Sequence, residues 1–110
     1  MKYLIILLVF VTTSCNHQKS GSSTNKKEIL AVLMQQQDFW NQGNIKGYMK
    51  GYFKSDSLRF ASGNHVSYGW QTTLERYLKG YPDKKTMGIL LFSDVDIKLL
   101  SNSTALVFGR

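Results

Sequence analysis

The only cysteine of this 110-residue chain, Cys15, stands directly behind an apolar run, Leu4 to Val11, and three small residues, Thr12, Thr13 and Ser14. Everything after it must fold by burial and hydrogen bonding alone, without an internal disulfide framework or a multi-cysteine zinc site. A start carrying Lys2, a short apolar stretch and a small-residue exit form the pattern of a secretory signal. The run is too short to span a bilayer, which takes about 20 apolar residues as a helix. With 43% hydrophobic and 13% aromatic residues the remainder is a folding composition, and 110 residues suffice for one domain. A net charge of +7 makes it basic, although only 19% of its residues are charged.

The cysteine behind small residues resembles a bacterial lipoprotein signal, with Thr12 where such signals usually carry Leu. The resemblance implies cleavage before Cys15, lipidation of that residue and a chain held on the bacterial cell envelope, at the outer membrane. Several acyl chains on one residue give stable attachment where a single chain holds only marginally. Residues 1–15 are thus expected to be the signal with its lipidated cysteine. Residues 16–25 (NHQKSGSSTN) are expected to be a flexible tether, with His17 solvated on it. Residues 26–110 make the domain.

Within that domain Ile29, Val32, Leu33, Gln36, Phe39 and Trp40 recur at helical spacing, with Asn25 and Glu28 as a capping box and Gly43 as the stop. A shorter helix is predicted after Asn44, its inner face Ile45, Tyr48, Met49 and Tyr52 and its outer face Lys46, Lys50 and Lys54. Gly47 and Gly51 weaken it by about 1 kcal/mol each relative to Ala. Leu58–Ser62 and His65–Tyr68 read as strands joined by Gly63-Asn64, a two-residue hairpin turn that sets Ser62 opposite His65. A third helix is predicted over 70–81, with Trp70, Leu74, Tyr77 and Tyr81 on its apolar face and an exposed Glu75–Lys79 pair. Tyr81-Pro82-Asp83 ends it, and a loop follows to Lys85. Thr86–Phe92 reads as a strand covered on both faces, 94–99 as a half-wet strand, Ser101-Asn102-Ser103 as a turn and Thr104–Phe108 as a last strand.

Three helices, an early hairpin and a late antiparallel meander make an α+β plan. Phe39 to Asn44 (FWNQGN), Tyr52 to Leu58 (YFKSDSL), Ser62-Gly63, Gly69-Trp70-Gln71 and Tyr77 to Pro82 resemble the SnoaL-like group of the nuclear-transport-factor-2-like superfamily, in its branch of unknown function. The likeness covers residues 26–110. It implies a cone-like fold, three helices packed on a curved antiparallel sheet around a conical pocket. The family's sheet continues past Gly109-Arg110, so terminal strands are expected to be missing. Members also often form homodimers.

The resemblance makes the pocket interior aromatic: Trp40, Tyr52, Phe60, Trp70 and Tyr77, with Tyr48 and Tyr81, are the candidate ligand-binding residues. Burial is the default use of such side chains in a small domain, although the polar tips of Tyr and Trp suit a pocket wall. Enzymes of the superfamily use acid–base catalysis, for which His65 and Asp56 are the candidates here. The tyrosine and two aspartates of its steroid-isomerase members find no match. No Gly-rich phosphate loop and no metal-ligand spacing is present, so neither cofactor nor metal is expected. For an exported chain the lysines suit anionic lipid headgroups rather than nucleic acid. The sequence therefore favours an envelope lipoprotein that binds a small apolar ligand or a partner without catalysis. The alternative is an isomerase- or lyase-like enzyme acting on a small carbonyl compound.

Overall fold

The computed structural model describes residues 20–110 and opens on a long helix, α1 (Ser20–Asn41). The signal, Cys15 and His17 lie outside the described residues. Residues 20–25, expected as tether, are helical, and Asn25 sits inside α1 instead of capping it. Ser, Thr and Asn cost only some tenths of a kcal/mol each in a helix, and extending an existing helix needs no new nucleus. At the other end Gly43, at φ 76°, supplies the left-handed stop, and its amide bonds the Trp40 carbonyl at 2.8 Å.

Asn44 caps α2 (Ile45–Tyr48) as expected, its side chain accepting from the Gly47 amide at 2.8 Å. A 3-10 turn over Met49–Gly51 follows. The two glycines here are contact points. A Cβ on Gly47 would lie 2.5 Å from the Phe39 ring, and one on Gly51 would collide with the Gln36 side chain. The short helix thus seats directly on α1, where buried Gln36 donates to the Tyr48 carbonyl at 3.2 Å. Ile45, Tyr48 and Met49 are buried, with Met49 fully enclosed. Lys46, Lys50 and Lys54 stay outside, Lys50 over the Phe39 ring and Lys54 over Trp70 at 5.0 Å.

The hairpin forms in the expected register: β1 (Arg59–Ser62) pairs antiparallel with β2 (His65–Tyr68), Ser62 opposite His65 and Phe60 opposite Ser67. Gly69, at φ 95°, turns the chain into α3 (Trp70–Gly80), which packs on β2 and α2. Glu75 accepts from Gln71 at 3.1 Å, and the expected pair with Lys79 does not form. An exposed i, i+4 ion pair contributes too little to exclude that competitor.

Beyond Pro82 the structure departs from expectation. Residues 84–87, expected as loop and strand start, form a single helical turn, α4 (Lys84–Met87), whose cap Asp83 accepts from both the amide and the hydroxyl of Thr86. Residues 88–92 are not a strand covered on both faces. Leu90 and Phe92 turn inward while Ile89 and Leu91 are 80% and 71% exposed. Helix side chains replace a neighbouring strand: Asn41 donates to the Leu90 carbonyl at 2.9 Å and accepts from its amide at 2.8 Å, and Gln37 accepts from the Phe92 amide at 2.7 Å. The backbone polar groups are satisfied without a ladder.

The chain then folds into a second antiparallel pair, β3 (Asp96–Leu99) with β4 (Ala105–Phe108), across the expected Ser101–Ser103 turn. Among the described residues the sheet consists of these two separate hairpins, β1–β2 and β3–β4. The core lies between α1, α2, α3 and α4, from Trp40, Ile45, Tyr48, Met49, Leu74 and Met87. No helix among the described residues is long and apolar enough to cross a membrane.

Candidate functional site

Six aromatic rings meet where the α1–α2–α3 layer packs on β1, edge to face except for the stacked Tyr77–Tyr81 pair. Trp40 meets Tyr48 at 5.0 Å and Tyr81 at 4.9 Å, while Tyr48 meets Tyr52 at 5.7 Å. Tyr77, one helical turn before Tyr81, touches Trp40, Tyr48 and Phe60. T-shaped contacts at these separations add about 0.5–1.5 kcal/mol each beyond burial.

Buried phenols need partners, and here they use one another. The Tyr52 hydroxyl lies 3.2 Å from that of Tyr48 and 3.5 Å from that of Tyr77. Burial, reinforced by the hydrogen bond with Tyr48, pushes the Tyr52 phenol far above its ordinary range. Burial likewise raises Tyr77, against a smaller lowering contribution from its bond with Tyr52. Both are neutral hydroxyls at any physiological pH.

Tyr77 also faces outward. A cleft of about 390 Å³ opens between β1 and α3, lined by Phe60, Ser62, Thr73, Arg76, Tyr77 and Tyr81 together with Gly80. Its size falls within the usual range for small-molecule sites. Thr73, Arg76, Tyr77 and Gly80 reach it because they follow one i, i+3, i+4, i+7 stripe of α3. Phe60 and Ser62 reach it because alternate residues of β1 share a face. A second cleft, of about 340 Å³, opens between α1 and β4, with Tyr48 and Tyr52 in its wall beside Leu33, Gln36 and Val107.

Of the candidate ligand-binding residues, Phe60 and Tyr77 line the first cleft and Tyr52 stands behind Tyr77. Trp40 is core, its indole N–H donating to the Met87 carbonyl at 3.0 Å. Trp70 packs against the core at the start of α3 and donates to the Met49 carbonyl at 2.9 Å. The acid–base candidates are not brought together. His65 and Asp56 are both exposed, and among the described residues neither hydrogen-bonds a tyrosine or lines this cleft. No group of His, Cys, Asp or Glu that could hold a metal occurs among the described residues.

Arg76 was not legible as a site residue. Its guanidinium sits 5.5 Å from the Phe60 ring centroid and donates to the buried Ser67 hydroxyl at 2.6 Å. The hairpin register carries the signal for this placement: Phe60 and Ser67 are a cross-strand pair, so both project toward the same helical residue.

No family model matches the chain, and no curated protein matches it. Among solved structures it is similar to a crystallised NTF-2-like protein of unknown function from Shewanella oneidensis MR-1. The two are 38% identical and superpose with a TM-score of 0.74 over 77% of this chain and 70% of the other. That identity and coverage go beyond shared architecture: the chain belongs to the NTF-2-like family.

Proposed function

We propose that this protein is a non-catalytic binding module in which the cleft between β1 and α3 takes a small, largely aromatic molecule. The observation that carries the reading is the composition of the cleft wall. Phe60, Tyr77 and Tyr81 offer apolar faces, while no carboxylate or imidazole lines the space. Proton transfer near neutral pH needs a group that titrates there, and burial moves the Tyr77 phenol of the wall away from that range. The tyrosine chain behind the wall preorganises it, since each hydroxyl already has a partner.

Lipidation of Cys15 would hold the module on the envelope, with its lysines toward anionic headgroups. Naphthamide, a neutral two-ring probe, tests the binding reading. It is expected to bind the full chain saturably and one to one, and Tyr77→Ala and Phe60→Ala to weaken it. Absence of saturable binding to the native chain, both by naphthamide and by its charged counterpart naphthoate, refutes the proposal. Cys15→Ala is expected to move the protein from the membrane to the soluble fraction, and unchanged retention refutes the anchor.

A further inference from the structure

Resting on that reading of the cleft, we infer that its ligand carries a carboxylate, held by Arg76 while the ligand's ring lies against Phe60 and Tyr77. Arg76 is a cation without a counter-ion: the one ion pair among the described residues joins Arg110 and Asp94. A guanidinium presents five N–H donors in a rigid fork, and among the described residues Ser67 takes one of them. The Phe60 ring face and the Ser67 hydroxyl hold the group at two points, so little side-chain freedom remains to be lost when an anion arrives. A planar carboxylate matches that fork with two parallel, charge-assisted hydrogen bonds, whereas a neutral carbonyl can accept but brings no charge.

The rest of the wall fits the same ligand. Ser62 adds a polar edge to the wall that holds Arg76, the Thr73 hydroxyl being spent on the Gly69 carbonyl at 2.9 Å, and no acidic side chain lines the cleft to repel an anion. The Phe60 and Tyr77 rings, 5.8 Å apart and edge to face, give an aromatic body its apolar contact. The chain's overall charge of +7 favours approach of an anion from solution. The chemical class is an aromatic carboxylic acid.

Calorimetric titration of the full chain with naphthoate and with naphthamide tests this directly, because the two probes share a ring system and differ in charge. Naphthoate is expected to bind about tenfold more tightly than the amide at low salt. That ratio should shrink as salt rises, and Arg76→Gln should bring it close to unity by weakening the carboxylate far more than the amide. Equal affinity of the native chain for the two probes overturns the inference and leaves the binding module standing. Equal weakening of both probes by Arg76→Gln also overturns it, since Arg76 would then only brace α3 against the hairpin. Failure of both probes to bind removes the module itself. The native-chain comparison needs no variant to fold.

Discussion

Replacing Gly47 by alanine sets two effects of opposite sign against each other. In an exposed helix the change stabilises by about 1 kcal/mol, because glycine gives up more backbone freedom on folding. In this fold the new methyl group would lie 2.5 Å from Phe39 Cδ1 and 2.8 Å from Asn44 Nδ2. The first contact is in the α1–α2 seam, where a forced repacking costs about 1–3 kcal/mol. The second displaces the side chain that caps α2, for about 1 kcal/mol more. Steric cost exceeds the propensity gain, and net destabilisation of about 1–3 kcal/mol is expected. For a domain of this size each kcal/mol corresponds to roughly 4–8 °C in Tm. Thermal unfolding followed by far-ultraviolet circular dichroism reads the effect. Gly80→Ala is the internal control, since a Cβ there meets nothing within 4 Å and helix propensity acts unopposed. A Gly47→Ala protein as stable as the native one, or more so, would refute the seating of α2 on α1.

Three further outcomes follow from single contacts. Asn41→Ala removes both hydrogen bonds that hold the Leu90 backbone and should destabilise by about 2 kcal/mol, with loss of hydrogen-exchange protection at the Leu90 amide; retained protection would contradict the account of residues 88–92. Tyr52 and Tyr77 are raised in the folded chain, so the unfolded state releases their protons first as pH climbs past about 10. Stability should be intact below that pH and fall above it, and Tyr52→Phe should flatten the fall while costing about 1 kcal/mol at neutral pH; an unchanged alkaline slope counts against the burial argument. Asp83 is held low by its hydrogen bonds to the amide and then the hydroxyl of Thr86, so its contribution is present above the ordinary carboxylate range and lost as pH falls through the lowered value. Asp83→Asn should remove that component of acid sensitivity, which urea midpoints between neutral and acid pH would record.

The parts of the fold that were legible in the sequence are those fixed by neighbours along the chain. Gly63-Asn64 sets the β1–β2 register, Asn44 announces a helix start, and the spacing of Trp70, Leu74 and Tyr77 identifies α3. Asp83 with Thr86 was an equally local capping signal, masked by the apolar run that follows it. That run misled because periodicity reports how apolar a segment is and cannot report what covers it: Leu90 and Phe92 face α1 while Ile89 and Leu91 face outward. Gly47 and Gly51 looked like weaknesses because propensity counts only the helix that contains them; their use lies in residues 36 and 39, on another helix. Of the cleft, Phe60 and Tyr77 were legible as large aromatic residues. Arg76 was not, since its placement depends on a strand pair docking against a helix.

The tyrosine chain makes the cleft and the core one structure. Tyr77 contributes a ring to the cleft wall, a hydroxyl to Tyr52 and an edge to Trp40, so a substitution that alters binding there also loosens packing between α1, α2 and α3. Arg76 differs: its contacts are with Ser67 and the Phe60 face, at the hairpin side of the cleft. Ring contacts and charge recognition are therefore separable by mutation, with stability following Tyr77 and ligand choice following Arg76. Linkage supplies the corresponding test in the intact protein. A ligand at one hundred times its dissociation constant stabilises the folded state by about 2.7 kcal/mol. At that concentration a tenfold weaker site in Arg76→Gln gains about 1.4 kcal/mol. Naphthoate should therefore raise the Tm of the native chain about twice as far as that of Arg76→Gln, and equal shifts in the two proteins would show that Arg76 does not hold the anion.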